Sequence, residues 1–454
     1  MQQEQKTSRQ PLFKSMHALV ALAITLAPTL VHAQTRSGTL DASFGTGGKV
    51  TTTFAGGSGA GAVAVQPDGK LVAAGAAAVN GQVDFALARY NSDGTLDTSF
   101  GSAGRVTTDS GGRYERATAL ALQRDGKIVV AGGSAGDLFN DFAVARYNND
   151  GRLDTSFGGG KVITKFENSA DGIAPGEVSA QAYSVAVQPD GKIVVAGEAN
   201  IEGEEDFALV RYNDDGTLDA TFGAGGKVIT DFGHLEQGFS YAFGYSLAVQ
   251  LDGKIVVAGQ AFIAGTFTGT FDVALARYNT DGTLDSSFGT GGKVITDFGS
   301  RNDLAFSVAV LPDGRIVVAG QGSVVRGLGF ALARYNSDGT LDNSFGAGGI
   351  VTTDFGIADQ GFSLAYAASL AVQPDGRMVA AGRAYFNGGF HSGLARYLSN
   401  GTLDASFGTG GKVTADFQGP YDYDEFSSVA VQLDGKVVAA VAALGDFTLV
   451  RYNN

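Results

Sequence analysis

Short runs of small and apolar residues recur along the chain, separated by turns rich in Gly, Asp and Asn. In the first complete copy the runs are 62–66, 70–76, 84–91 and an outer segment within 95–108. Runs dominated by Val, Ile, Ala and Phe and bounded by such turns predict β-strands. Within 84–91, Phe85, Leu87 and Arg89 fall on one face and Ala86, Ala88 and Tyr90 on the other, because successive strand side chains point to opposite faces. Both faces are largely apolar, so the sheet is predicted to lie stacked between similar sheets. The Pro-Asp-Gly and Ser-Asp-Gly turns read as hairpins, since Asp and Gly accept the backbone angles of a short reversal. Four such runs in succession make an antiparallel meander.

Three markers recur seven times each, in the same order. The first is a turn whose Asp-Gly pair begins at Asp68, Asp125, Asp190, Asp252, Asp313, Asp375 and Asp434. The second is Ala-Arg-Tyr-Asn or a close variant, with its arginine at Arg89, Arg146, Arg211, Arg277, Arg334, Arg396 and Arg451. The third is Leu-Asp-x-Ser/Thr-Phe-Gly, with its aspartate at Asp41, Asp97, Asp154, Asp219, Asp285, Asp342 and Asp404. Those aspartates are 56, 57, 65, 66, 57 and 62 residues apart, so the copies differ in loops and keep their cores. The predicted fold is all-β: a seven-bladed β-propeller of four-stranded antiparallel blades. A solenoid would use shorter coils and end caps, and a pair of sandwiches would not need seven near-identical units. Residues 34–54 supply only the outer strand of a repeat, and 427–454 only the three inner strands. Together they predict one closing blade, latched by the N-terminal strand so that no sheet edge is left open.

The unit Ser-Val-Ala-Val-Gln-Pro-Asp-Gly-Lys-Ile-Val-Val-Ala-Gly at 184–197, followed by 206–213 and 218–223, resembles the delta-60 repeat family of bacterial exported proteins. It is also similar, more distantly, to the NHL-type propeller blade. The resemblance covers nearly all of 34–454 and implies a fold without an activity, a catalytic residue or a ligand. The seventh copy departs at Val441, where the others have glycine, and the sixth at Leu398, where the others have asparagine.

Composition agrees with turns and sheets rather than long helices: Gly contributes 68 of 454 residues, and 30 Phe and 15 Tyr supply a core. At the N-terminus, Lys6, Arg9 and Lys14 precede an apolar run from Ala18 to Ala27 and then Val31-His32-Ala33. That order predicts a secretory signal peptide over 1–33 and a secreted, surface or periplasmic protein. The run is too short to span a bilayer, and no membrane insertion is expected after cleavage. Removing 1–33 leaves 29 basic against 45 acidic residues, so the net charge of −14 becomes −16. Such a surface repels phosphate backbones, and nucleic acid is not an expected partner. With no cysteine, an exported chain must hold itself together through packing and hydrogen bonds.

Seven arginines at one strand position need partners, because an unpaired buried charge is costly. The recurring Leu-Asp aspartates are the natural ones, and the expected role of the fourteen residues is structural. An aspartate also opens the third strand at Asp84, Asp141, Asp206, Asp272 and Asp446, where a loop-stabilising hydrogen bond is expected; Gly329 and His391 replace it in copies five and six. The segment 91–97 resembles the middle of a calcium-binding loop, but Arg89 and Phe100 occupy the two end ligand positions. A plain Asx turn accounts for it, and no metal or cofactor is expected. Only His234 and His391 remain after 1–33, which excludes a multi-histidine centre. Acid pairs such as Glu204 and Glu205, or Asp422 and Asp424, are the only candidates for catalysis, as in glycoside cleavage.

The turns before strands two and four are nearly invariant from copy to copy, whereas the loops before strands one and three vary in length and content. The latter carry clustered aromatics, and the candidate ligand contacts are Tyr241, Phe243, Phe262, Phe267, Tyr385, Phe386, Tyr421 and Tyr423. The expected function is non-catalytic: a monomeric extracytoplasmic binding or scaffold propeller that holds a protein or a glycan on its variable face. The alternatives are a carbohydrate-active enzyme, hydrolase or lyase, with acidic catalytic residues, and a purely structural surface protein.

Overall fold

The computed structural model describes residues 36–135, 140–166, 178–201, 203–233, 241–263, 270–299, 302–325, 327–356, 363–386, 389–417, 424–442 and 445–454. The expected leader and the candidates His234, Phe267, Tyr421, Asp422 and Tyr423 lie outside them.

Among the described residues, twenty-eight strands form seven four-stranded antiparallel blades. Blade 1 runs through Ser58–Val65, Leu71–Val79, Gln82–Tyr90 and Arg105–Thr108. The inner strands of blades 2 to 7 are Tyr114–Leu122, Ala180–Val187, Ala242–Val249, Leu304–Val310, Ser363–Val372 and Phe426–Val431. Each inner strand packs on the inner strands of its two neighbours, in a closed circle. The circle closes because Lys49–Thr52 pairs antiparallel with Phe447–Tyr452, Lys49 opposite Val450 and Thr52 opposite Phe447. The seventh blade thus takes its outer strand from the N-terminal side.

The core sits between blades. One cluster joins Val72, Ala74, Phe85 and Leu87 of blade 1 to Ala117, Ile128, Val130 and Ala143 of blade 2, and equivalent clusters fill the other interfaces. Polar fastenings add to this packing. Ser184, Ser246, Ser307, Ser369 and Ser428 each accept, through Oγ, a backbone N–H of the next inner strand at 3.1–3.2 Å. Farther out, the last tyrosine of each third strand reaches a threonine on the outer strand of the preceding blade. Tyr90 donates to Thr52 at 2.8 Å and Tyr335 to Thr296 at 2.9 Å. Tyr452 is the exception: Ala415 stands where the others have threonine, and the buried hydroxyl makes no hydrogen bond.

Every inner strand carries a β-bulge, at Gly61, Thr118, Tyr183, Tyr245, Phe306, Ala368 and Ser427. The bulge presses the inner backbone onto the second strand, and there a glycine is required. A Cβ at Gly197 would lie 1.9 Å from the Gln181 carbonyl oxygen, and one at Gly259 1.7 Å from that of Phe243. Where Val441 replaces this glycine, in the closing blade, the inner pairing ends at Phe426 opposite Val441.

Candidate functional site

The uniform face is a structural ring. Arg89 donates through Nε to Asp97 at 2.8 Å, and the same contact recurs as Arg146–Asp154, Arg211–Asp219, Arg277–Asp285, Arg334–Asp342, Arg396–Asp404 and Arg451–Asp41, all at 2.7–2.9 Å. Each arginine also reaches the next blade, as in Arg146 to Asp214 at 2.5 Å, Arg396 to Asn454 at 2.7 Å and Arg277 to the Ser337 carbonyl. Its guanidinium lies 4.4–4.8 Å over a buried phenylalanine such as Phe100 or Phe222. A second cation from the Asp-Gly turn completes each site, for example Lys70 at 2.8 Å from Asp97 and Arg315 at 2.8 Å from Asp342. Burial opposes ionisation of these aspartates. Hydrogen bonds from the lysine and the following Ser or Thr, with the arginine charge, outweigh it and hold Asp97, Asp219 and Asp285 well below the usual carboxylate range and Asp154 at about 2. The ring's arginines are thus taken up by aspartates, by acceptors on the next blade and by phenylalanine faces. The calcium-like segment is likewise occupied by its own turn: Asp93 Oδ1 accepts from the Thr95 N–H at 2.9 Å and the Thr95 hydroxyl at 2.7 Å.

The variable face is organised differently. Bulge side chains abut the neighbouring inner strand, as shown by Thr118, whose hydroxyl donates to the Ala182 carbonyl at 2.8 Å, and Ser427, which donates to that of Ala60 at 2.9 Å. In blades 6, 7, 1 and 2 the bulge residues are small: Ala368, Ser427, Gly61 and Thr118. In blades 3, 4 and 5 they are Tyr183, Tyr245 and Phe306, and these rings touch in sequence around the axis. Tyr183 and Tyr245 have centroids 5.3 Å apart, Tyr245 and Phe306 5.2 Å, and Phe306 and Tyr366 5.1 Å. The arc ends on Arg383, whose guanidinium lies 4.6 Å from the Tyr366 centroid and 4.5 Å from that of Phe390.

Polar groups stand beside the arc. The Tyr183 hydroxyl donates to Glu198 at 2.9 Å, and Gln260 donates to the Tyr245 hydroxyl at 3.1 Å. Burial raises the Glu198 carboxyl to about 7; the Tyr183 bond opposes it, and the charge of Glu205 adds a smaller push upward. On the small-residue side a cavity of about 610 Å³ is lined by Gly59, Ala76, Tyr114, Arg116, Glu425 and Ser427, among others. The axial mouth therefore has an aromatic wall on one side and an open, charged cavity on the other.

Of the expected contacts, Phe243 joins this arc, its ring stacked on Tyr245 at 6.2 Å and tilted against Phe271 at 6.1 Å. Phe262 meets Phe271 at 5.3 Å, and Tyr385 meets Phe390 at 5.1 Å. Tyr241 is exposed at 37%, and Phe386 packs on the core and on His391 at 4.4 Å. Sequence reasoning passed over Tyr183, Phe306, Tyr366, Glu198 and Arg383, and it placed Phe243, Phe262, Tyr385 and Phe386 in loops although they lie within strands. For Tyr183 and Phe306 the signal that could have found them is an aromatic at a repeat position that is small in four other copies.

The expected loop bond from the third-strand aspartate is not made at Asp84, whose buried Oδ1 has no hydrogen bond. The loop is held instead by the acid that leads into the next blade. Glu115 accepts from the Ser110 and Gly112 N–H groups, Asp303 from that of Phe298 at 2.6 Å, and Asp424 from that of Phe417 at 2.7 Å. These pairs converge with a third residue into the groups Asp84–Asp109–Glu115, Asp272–Asp297–Asp303 and His391–Asp416–Asp424. Burial first, and then the neighbouring carboxylates, pushes Asp84 and Asp272 upward.

Six segments, 66–100, 123–157, 188–222, 250–288, 311–345 and 373–407, match the family described as "Domain of unknown function (DUF5122) beta-propeller". Each runs from the first turn to the buried phenylalanine of the third marker. No curated protein is similar enough to count as a relative. Among solved structures the chain is similar to polysaccharide lyase Uly1 at 12% identity, covering 87% of this chain and 90% of that one with a TM-score of 0.46. It is similar to the WD40 β-propeller domain of Doa1 at 11%, covering 89% and 97% with a TM-score of 0.41. It is also similar to extracellular domains 1–2 of Drosophila Semaphorin 1b at 9%, covering 92% and 87% with a TM-score of 0.43.

Proposed function

We propose, from the premise that this chain is built of β-propeller repeats, that it is an exported, non-catalytic binding protein holding a glycan at the axial mouth of its variable face. Membership of the delta-60 repeat family and export through the segment 1–33 are part of this proposal. The observation that carries it is the arc Tyr183–Tyr245–Phe306–Tyr366, set into repeats that are otherwise nearly uniform. Linked rings offer flat apolar surface on which the C–H faces of sugar rings can stack, while Glu198, Gln260 and Arg383 supply the few placed polar groups that orient a ligand. Among the described residues no helix is long and apolar enough to cross a membrane. Electrophoresis of the protein through gels containing neutral or anionic polysaccharides tests the reading. At least one polysaccharide should retard the parent, and Tyr245→Ala combined with Phe306→Ala should abolish the retardation while the melting temperature stays within a few degrees. Equal retardation of parent and variant, or none with any polysaccharide, would sink it.

Glu198 favours a second reading. A carboxyl raised to about 7 is poised to give or take a proton near neutral pH, which is what a glycan-cleaving acid or base requires. Release of new reducing ends or unsaturated products by the parent, lost in Glu198→Gln, would make the protein an enzyme and displace the non-catalytic proposal.

A further inference from the structure

We propose that His391, Asp416 and Asp424 form a site for a divalent cation of the zinc class. His391 lies on the third strand of blade 6, opposite Ala384, the register at which blades 1 and 4 place Asp84 opposite Ala77 and Asp272 opposite Ala261. Asp416 follows the outer strand Lys412–Ala415, and Asp424 leads into the inner strand of blade 7. One ligand atom from each of the three lies within 4.8 Å of the other two.

Three carboxylate or imidazole groups in proximity do not by themselves make a metal site. Here two of them are buried with an atom left over. His391 is 5% exposed and its Nδ1 makes no hydrogen bond, and Asp424 is 1% exposed and its Oδ1 makes none. Asp424 is not adrift: its Oδ2 accepts from the Phe417 N–H at 2.7 Å, and its own N–H donates to the Phe390 carbonyl at 3.0 Å. Those bonds fix the carboxylate and leave Oδ1 as the buried atom without a hydrogen bond. The Phe386 ring, 4.4 Å from the imidazole, holds the histidine. His391 Nδ1 and Asp416 Oδ1 are 3.7 Å apart, too far for a hydrogen bond. Two ligands about 2.0–2.2 Å from one tetrahedral metal ion are separated by about 3.4 Å, so a shift of a few tenths of an ångström brings both onto a shared ion.

The donor set chooses the ion. Blades 1 and 4 gather only carboxylates, and in blade 1 Glu115 is already engaged by the Ser110 and Gly112 N–H groups and the Ser134 hydroxyl. Blade 6 alone among the three adds a nitrogen. Imidazole with two carboxylates suits zinc and its transition-metal neighbours, whereas calcium and magnesium prefer all-oxygen shells.

Zinc added to the metal-stripped, full-length protein and followed by calorimetry should bind in the micromolar range at a site that neither calcium nor magnesium competes for. His391→Gln and Asp416→Asn should each weaken that binding by about tenfold or more. The Asp416 side chain is 41% exposed, so its variant remains informative if the histidine variant does not fold. Cobalt in place of zinc should give a visible absorption band that changes in both variants, and Asp109→Asn, in blade 1, should alter neither measurement. Zinc affinity unchanged in Asp416→Asn, or no micromolar binding by the parent, overturns the assignment.

Discussion

Replacing Ala415 with threonine should stabilise the protein, because it supplies the one partner that the tyrosine and threonine fastening lacks. At six interfaces the tyrosine hydroxyl meets a threonine hydroxyl at 2.6–2.9 Å. At the seventh, Tyr452 is buried and burial alone raises its hydroxyl, with no threonine bond to oppose it. A hydrogen bond made in place of an unsatisfied buried hydroxyl contributes about 0.5–1.5 kcal/mol net. Unfolding entropy of about 2.1 cal/mol/K per residue over about 420 residues gives roughly 0.9 kcal/mol per degree, so the melting temperature should rise by about 1–2 °C. Differential scanning calorimetry resolves that shift. Ala415→Val has the same shape without the hydroxyl and measures the packing contribution, and in a Tyr452→Phe background the threonine should gain nothing over valine. Indistinguishable threonine and valine variants in the parent background would refute the reasoning.

Asp285→Ala leaves the Arg277 guanidinium buried without its carboxylate, and breaking such a pair costs about 3–5 kcal/mol, or about 3–6 °C on the same scale; a loss under 1 °C would show that the ring is not a fastening. The ring aspartates have folded-state values below the roughly 3.9 of an unfolded aspartate, so their contribution is complete above about pH 5 and is lost as pH falls toward 2. Urea midpoints should therefore be flat from pH 7 to 5 and drop steeply below 4, and a midpoint that rises on acidification contradicts the ring. Deleting 1–54 removes the outer strand of blade 7, the burial of Phe44 and Phe54, and the Asp41 partner of Arg451. At about 1.5–3 kcal/mol per phenylalanine and about 3–5 for the pair, the loss is on the order of the whole stability of a typical domain. The truncated chain should aggregate or melt far lower, and an unchanged melting temperature in a monomeric truncation rules out the latch.

The repeat, the four strands per blade and the closing blade were legible in the sequence, because they depend on local chemistry: strand alternation, Asp-Gly turns and a pattern that breaks off at one end and resumes at the other. The pairing of Arg89 with Asp97 was legible for a related reason, since the two are eight residues apart across a single turn. The aromatic arc was not. Tyr183, Tyr245, Phe306 and Tyr366 lie in four different blades, and what brings them together is the closed circle of inner strands, with a bulge at each of the first three and Tyr366 two residues before the bulge of its own strand. The same holds for His391, Asp416 and Asp424, which come from two blades and meet only where an outer strand hands over to the next inner one. Sequence determines what each repeat is because neighbouring residues interact whatever surrounds them. Ring closure decides which residues of different repeats face one another, and that depends on every interface at once.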